Sequence, residues 1–170
     1  MKAHYLLTIL SEDRKGLVSI ITGMLNRKGI EIESISAART DIHSRVLVTL
    51  EVIGDAAEVK KMSLKIGGVI EVYEVDMALI RDAWYQKVAL YTIEKEGFNV
   101  ELYTRLQKYG ATIAGYYDYE IIIQKTGRDE DIRLLYNELE GPYLKSFSKS
   151  AAIALKPLEE GESSVIRLAA

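Results

Sequence analysis

A chain of 170 residues has room for one ordinary domain or for two small ones of about 80 residues, a size at which a single hydrophobic core is marginal. Apolar residues make up 48% and charged residues 28%, and the formal net charge of −3 is shared between the halves: 10 Lys and Arg against 11 Asp and Glu up to Ile80, and 12 against 14 beyond it. This excludes a polybasic arm, an acidic tail and a nucleic-acid-sized basic field, and the absence of cysteine excludes disulfides, thiolate catalysis and thiolate metal ligation.

The start, Met1-Lys2-Ala3-His4-Tyr5, runs into an apolar alternation without the long uncharged run of a signal peptide, and no segment approaches the length of a membrane span. A cytoplasmic address is the expectation. Tyr5 to Leu10 suits a strand, and Leu17, Ile20, Ile21, Met24, Leu25 and Lys28 then recur at helical spacing, giving one apolar stripe on a helix that Gly29 ends. Ile30, Ile32 and Ser34 alternate with Glu31 and Glu33. Val46, Val48, Leu50 and Val52 alternate with Leu47, Thr49 and Glu51, so two strands follow, with polar turn residues Arg39 to Ser44 between them. Asp55 with Glu58 three residues later starts a helix whose Ala56, Val59, Met62 or Ser63, and Ile66 share a face, and Gly67-Gly68 stops it. Val69, Tyr73, Val75 and Met77 mark a fourth strand. The order β-α-β-β-α-β, complete by about Leu79, is that of the split-βαβ sandwich.

A second copy of this order runs from Trp84: a strand to Ile93, a helix through Leu102, Leu106 and Tyr109, strands at Thr112–Tyr116 and Tyr119–Gln124, a helix at Asp129–Leu139, and a strand at Leu144–Leu155. Gly110, Gly127 and Gly141-Pro142 fall where elements must end. The reading is α+β, two ferredoxin-like βαββαβ domains in tandem at residues 3–79 and 84–156, followed by a polar tail at 157–170 expected to be mobile.

The loop Asp13-Arg14-Lys15-Gly16-Leu17 is the strongest candidate site, because Gly16 lets backbone approach a ligand closely and the helix start offers N–H groups and a positive dipole end to a carboxylate. A glycine before a helix is commonly only a turn residue, so spacing alone favours a structural role. His4 falls in a predicted strand and His43 in a predicted turn, without the local carboxylate or nucleophile of a triad, and lone histidines are usually structural. Asp129, Glu130 and Asp131 suit a helix start without any metal. Tyr116, Tyr117 and Tyr119 raise the alternative of base stacking on a sheet, but no basic, Gly-rich RNA-recognition strand accompanies them, and packing in a sheet or subunit contact is expected.

Leu7 to Leu17, Gly29-Ile30-Glu31-Ile32-Glu33-Ser34, and Thr40-Asp41 with Ser44-Arg45 follow in order a pattern that resembles the ACT regulatory domain of acetolactate synthase small subunits. The second half is similar to the C-terminal domain of that family in Lys87-Val88-Ala89-Leu90-Tyr91, Tyr109-Gly110-Ala111, Gln124-Lys125-Thr126-Gly127 and Lys149-Ser150-Ala151-Ala152-Ile153-Ala154-Leu155. The resemblance implies a non-catalytic regulatory subunit in branched-chain amino acid biosynthesis, with no cofactor of its own. It also implies a homodimer through the ACT domain that binds and activates a thiamine-diphosphate-dependent catalytic subunit, and feedback inhibition by valine in many members.

By the same resemblance an amino-acid effector would lie between Asp13, Arg14, Lys15, Gly16 and Leu17 of one chain and Glu31 and Ile32 near its neighbour. The family places asparagines where this chain has Asp13 and Glu31, so two neutral amides have become carboxylates that only accept at neutral pH. Two added negative charges favour an effector's ammonium and oppose its carboxylate, which puts valine at a disadvantage and predicts either a different, more cationic effector or loss of effector binding with the activating role kept. The rival reading is a free-standing ACT-domain amino-acid sensor acting on another enzyme.

Overall fold

The computed structural model describes residues 2–155, so the expected tail at 157–170 lies outside the described residues. These residues divide into two compact units, the first running to Trp84 and taking in the described chain again from Ala154, and the second spanning Tyr85–Ile153.

The first unit comprises β1 (Lys2–Glu12), α1 (Leu17–Asn26), β2 (Glu31–Arg39), β3 (Arg45–Asp55), α2 (Ala56–Gly67) and β4 (Val72–Leu79), with strand order β2-β3-β1-β4. All pairings are antiparallel, and β1 and β3 match along their full length, from Lys2 opposite Asp55 to Glu12 opposite Arg45. Period-two alternation puts Tyr5, Leu7 and Ile9 of β1 and Val48, Leu50 and Val52 of β3 on one sheet face. Leu17, Ile21 and Leu25 of α1 and Val59, Met62 and Ile66 of α2 close over that face to make one core. Asp55 ends β3 and caps α2, its carboxylate accepting the Ala57 N–H at 3.0 Å.

Two positions depart from the helical and strand periodicity. Ile20, counted in the apolar stripe of α1, is 54% exposed, because the core takes only the narrower row Leu17, Ile21 and Leu25. The fourth strand begins at Val72 rather than Val69, and Tyr73 leaves the inward set. A bulge places Leu10 opposite Glu74 but Ser11 opposite Val72, so Val72 is buried while Tyr73 is 51% exposed. The Tyr73 hydroxyl donates to Glu12 at 3.3 Å and its ring lies 4.7 Å from the Arg45 guanidinium.

The second unit repeats the order with β5 (Tyr85–Glu94), a single 3-10 turn at Lys95–Gly97, α3 (Val100–Lys108), β6 (Thr112–Tyr116), β7 (Glu120–Gly127), α4 (Asp129–Leu139) and β8 (Leu144–Lys149). Its strand order, β6-β7-β5-β8, is the same permutation, with the short β9 (Ile153–Ala154) also paired to β5. Both units are therefore ferredoxin-like sheets with two helices each. The expected single strand from Leu144 to Leu155 is broken at Ser150. The Ser150 N–H donates to the Val88 carbonyl while its hydroxyl oxygen accepts the Val88 N–H, so a side chain takes over the ladder and stops it. Tyr116, Tyr117 and Tyr119 are exposed and absent from the core, Lys95 lying 4.9 Å from the ring of Tyr116.

The core of this unit holds Ala89, Tyr91, Ile93, Ile121 and Ile123 of the sheet against Leu102, Leu106, Ile132 and Leu135 of the helices. Tyr91 donates to the Ile132 carbonyl at 2.7 Å, and burial pushes its hydroxyl up to about 12. Earlier on the same face of β5, Lys87 is only 3% exposed and donates to Asp129 at 2.6 Å, with Lys149 and Tyr85 also donating to that carboxylate. Burial raises the Asp129 carboxyl, yet the hydrogen bonds from Lys149 and Lys87 outweigh it and hold the group below the usual carboxylate range. A depressed carboxyl contributes stability that is present above the unfolded value and lost as pH falls through the folded one. Asp129→Asn should therefore lower the unfolding free energy by about 2 kcal/mol near neutral pH, a buried-pair loss discounted for partial exposure. In urea titrations the gap between variant and parent should close below about pH 4, and a gap independent of pH would contradict this role.

Candidate functional site

The loop between β1 and α1 is built by the sheet register. Because Glu12 stands opposite Arg45, the chain leaving β1 meets the turn that enters β3, and the Asp13 N–H donates to the Ser44 carbonyl at 2.9 Å. Gly16 then adopts φ 86° and ψ −8° at the head of α1, a left-handed conformation that carries no penalty for glycine. Leu17 follows as a buried anchor, and no side chain caps the helix start. The first N–H groups of α1, which have no intrahelical partner, and its positive dipole end thus face the loop.

A cavity of about 260 Å³ opens here, lined by Asp13, Arg14 and Leu17, by Ala37, Ala38 and Arg39 at the end of β2, and by Val46 and Val48 of β3, among others. That is smaller than the roughly 300–1,000 Å³ of sites for drug-sized ligands and suits a small polar metabolite with a short apolar side chain. Its charges are already paired within the chain. Asp13 accepts from Arg39 Nε at 2.7 Å, and Arg14 forms an ion pair with Glu71 at the foot of β4. An adjoining cavity of about 410 Å³ shares Asp13 and Arg39 with the turn Thr40, Asp41, Ile42, His43 and Ser44.

Among the expected site residues, the structure brings together Asp13, Arg14 and Leu17. Lys15 and Gly16 belong to the same loop but are not among the residues lining the cavity, while Glu31 and Ile32 sit at the opposite end of β2 from Arg39. Within one chain they are remote from the loop. The sequence presents Arg39 only as a turn residue, and its pairing with Asp13 depends on how β2 returns alongside β3, which no local pattern displays.

Gly16→Ala isolates the backbone contribution, since a Cβ at this position would meet nothing within 4 Å. The left-handed conformation alone should cost about 1 kcal/mol in chemical denaturation, and an unchanged midpoint would show that the loop relaxes instead.

No protein-family model matches the chain. It is 31% identical over 72 residues to the acetolactate synthase small subunit of Buchnera aphidicola, covering 42% of this chain and 45% of that protein. The small subunit of Haemophilus influenzae is 27% identical over 70 residues, covering 41% and 43%. The aligned segment thus spans less than half the length of these two relatives. A third, the acetolactate synthase small subunit of Mycobacterium bovis, aligns over 155 residues, 91% of this chain and 92% of that protein, at 19% identity. The crystal structure of the acetolactate synthase small subunit from Thermotoga maritima superposes with a TM-score of 0.79 over 91% of this chain and 98% of that one, at 16% identity. The chain is therefore a sequence relative of proteins named acetolactate synthase small subunit, and it shares the tandem ferredoxin-like fold of one of them over nearly its whole length.

Proposed function

We propose that this chain is a non-catalytic regulatory small subunit of an acetolactate synthase, acting in branched-chain amino acid biosynthesis in the cytoplasm. The observation that carries the reading is the correspondence of both units, end to end, with proteins of that name. Its partner would be a thiamine-diphosphate-dependent catalytic subunit, which it would bind and bias toward an active arrangement, with the thiamine cofactor residing on the partner.

The position of β2 at the edge of the first sheet supports a homodimer. Antiparallel pairing of β2 with the β2 of a second copy would extend the sheet, cover an exposed edge, and set the start of one strand beside the end of the other. Glu31 and Ile32 of the second copy would then approach the cavity beside Arg39 and Asp13. An effector held there would present its carboxylate to the helix start, beside and opposed by Asp13, and its ammonium toward Glu31, so occupancy and interface geometry would be coupled. The two carboxylates argue against tight valine binding and toward a more cationic effector. The alternative, a free-standing ACT-domain sensor, draws on the stronger sequence match spanning only a domain's length, but leaves the second unit without a role.

Co-elution on size exclusion with the cognate catalytic subunit tests the assignment. A saturable complex is expected, and two separate peaks at micromolar concentration would leave the free-standing sensor as the surviving reading. Calorimetry with valine, leucine, isoleucine and lysine tests the effector. Valine should bind the isolated chain weakly, and Asp13→Asn should tighten it by about tenfold, equivalent to about 1.4 kcal/mol. Micromolar valine binding by the unaltered chain would contradict the charge argument.

A further inference from the structure

On the first sheet, away from the loop, three side chains remote in sequence converge. His4 of β1 and Glu51 of β3 lie one diagonal step apart in the strand register, since Glu51 stands opposite Leu6. Both occupy the parity opposite to the core residues Tyr5, Leu7, Leu50 and Val52. Glu33 joins them because β2 carries a bulge between Ile32 and Ser34, which takes Glu33 out of the ladder and re-aims it. His4 Nε2 is 2.8 Å from Glu33 Oε2 and 3.7 Å from Glu51 Oε2, and the three donor atoms lie within 4.8 Å of one another.

The geometry differs from that of a simple ion pair. His4 Nε2 is shut off from solvent and makes no hydrogen bond, so its close approach to Glu33 is not aligned as N–H···O. The Glu51 side chain is 0% exposed. Ser34 donates its hydroxyl to Glu51 Oε1, the kind of outer contact that orients a ligating carboxylate and leaves the other oxygen facing His4. Ligands about 2.0–2.2 Å from one ion at angles between octahedral and tetrahedral stand about 3 Å apart, a separation bracketed by the two His4 distances.

We propose that His4, Glu33 and Glu51 form a binding site for a divalent transition cation. One imidazole nitrogen and two carboxylate oxygens fit Zn²⁺ best, with a fourth position open to water, whereas Mg²⁺ and Ca²⁺ prefer all-oxygen shells. The ion would tie the three adjacent strands β1, β3 and β2 at one end of the sheet. The site is independent of the proposed subunit role.

Chelator-treated full-length chain titrated with ZnCl₂ by calorimetry, with thermal melts in parallel, tests the site. Saturable binding near one equivalent per chain is expected, together with a higher melting midpoint in zinc. His4→Gln and Glu33→Gln should each weaken binding by about tenfold or more, the scale of losing a coordinating or orienting group, and should abolish the zinc-dependent rise. Glu33 is half-exposed, so Glu33→Gln should melt like the parent without metal, separating ligation from folding. His43→Gln, at the other histidine, should bind as the parent does. Absence of saturable binding, binding unaffected by His4→Gln and Glu33→Gln, or loss of binding in His43→Gln would overturn the proposal.

Discussion

The first unit depends on one pairing, the full-length antiparallel match of β1 with β3 at the centre of the sheet. At one end Glu12 faces Arg45, which folds the β1–α1 loop onto the β2–β3 turn and creates the cavity beside Asp13 and Arg39. At the other end Lys2 faces Asp55, which leads directly into the capped start of α2. Between them, His4 comes within reach of Glu51. A slip of one residue would turn Glu51 inward in place of Val48, Leu50 and Val52 and strand a carboxylate against the aliphatic side chains of the helices. The same register therefore fixes the fold, the cavity and the approach of His4 to Glu51.

The two units share a topology and solve the same problem of buried polar groups differently. In the first, Glu51 of the central strand β3 meets Ser34 and His4. In the second, Lys87 of the central strand β5 meets Asp129 at the start of α4, and Lys149 and Tyr85 complete the shell. Each arrangement draws on strands or helices remote in sequence. Such groups specify register as much as they stabilise it, because only one pairing of the strands satisfies them.

Elements with strong periodicity were readable from the residues alone. Asp129–Leu139 is a helix with those bounds, and Val59, Met62 and Ile66 face the core as their spacing requires. Positions set by pairing between distant strands were not. Tyr73 continues the alternation of Val75 and Met77 and is displaced only by a bulge against β1. Ser150 stops β8 through a hydrogen bond to Val88, more than sixty residues away in sequence. Glu51 reads as the solvent-facing member of an alternating strand, and His4 as a lone histidine, until the register and the Glu33 bulge bring them together. At the candidate site, the Gly16 loop was visible because a glycine before a helix is a local signal. Arg39 was not, since its partner Asp13 lies twenty-six residues back.

The regulatory account places the chemistry of acetolactate formation on another chain and gives this one the task of shifting that chain between states. Its most direct test is the rate of acetolactate formation by the cognate catalytic subunit as this chain is added. The account predicts a saturable rise to a plateau at a fixed molar ratio, with no acetolactate formed by this chain alone. A rate unchanged at every ratio, or activity in the chain by itself, would contradict it.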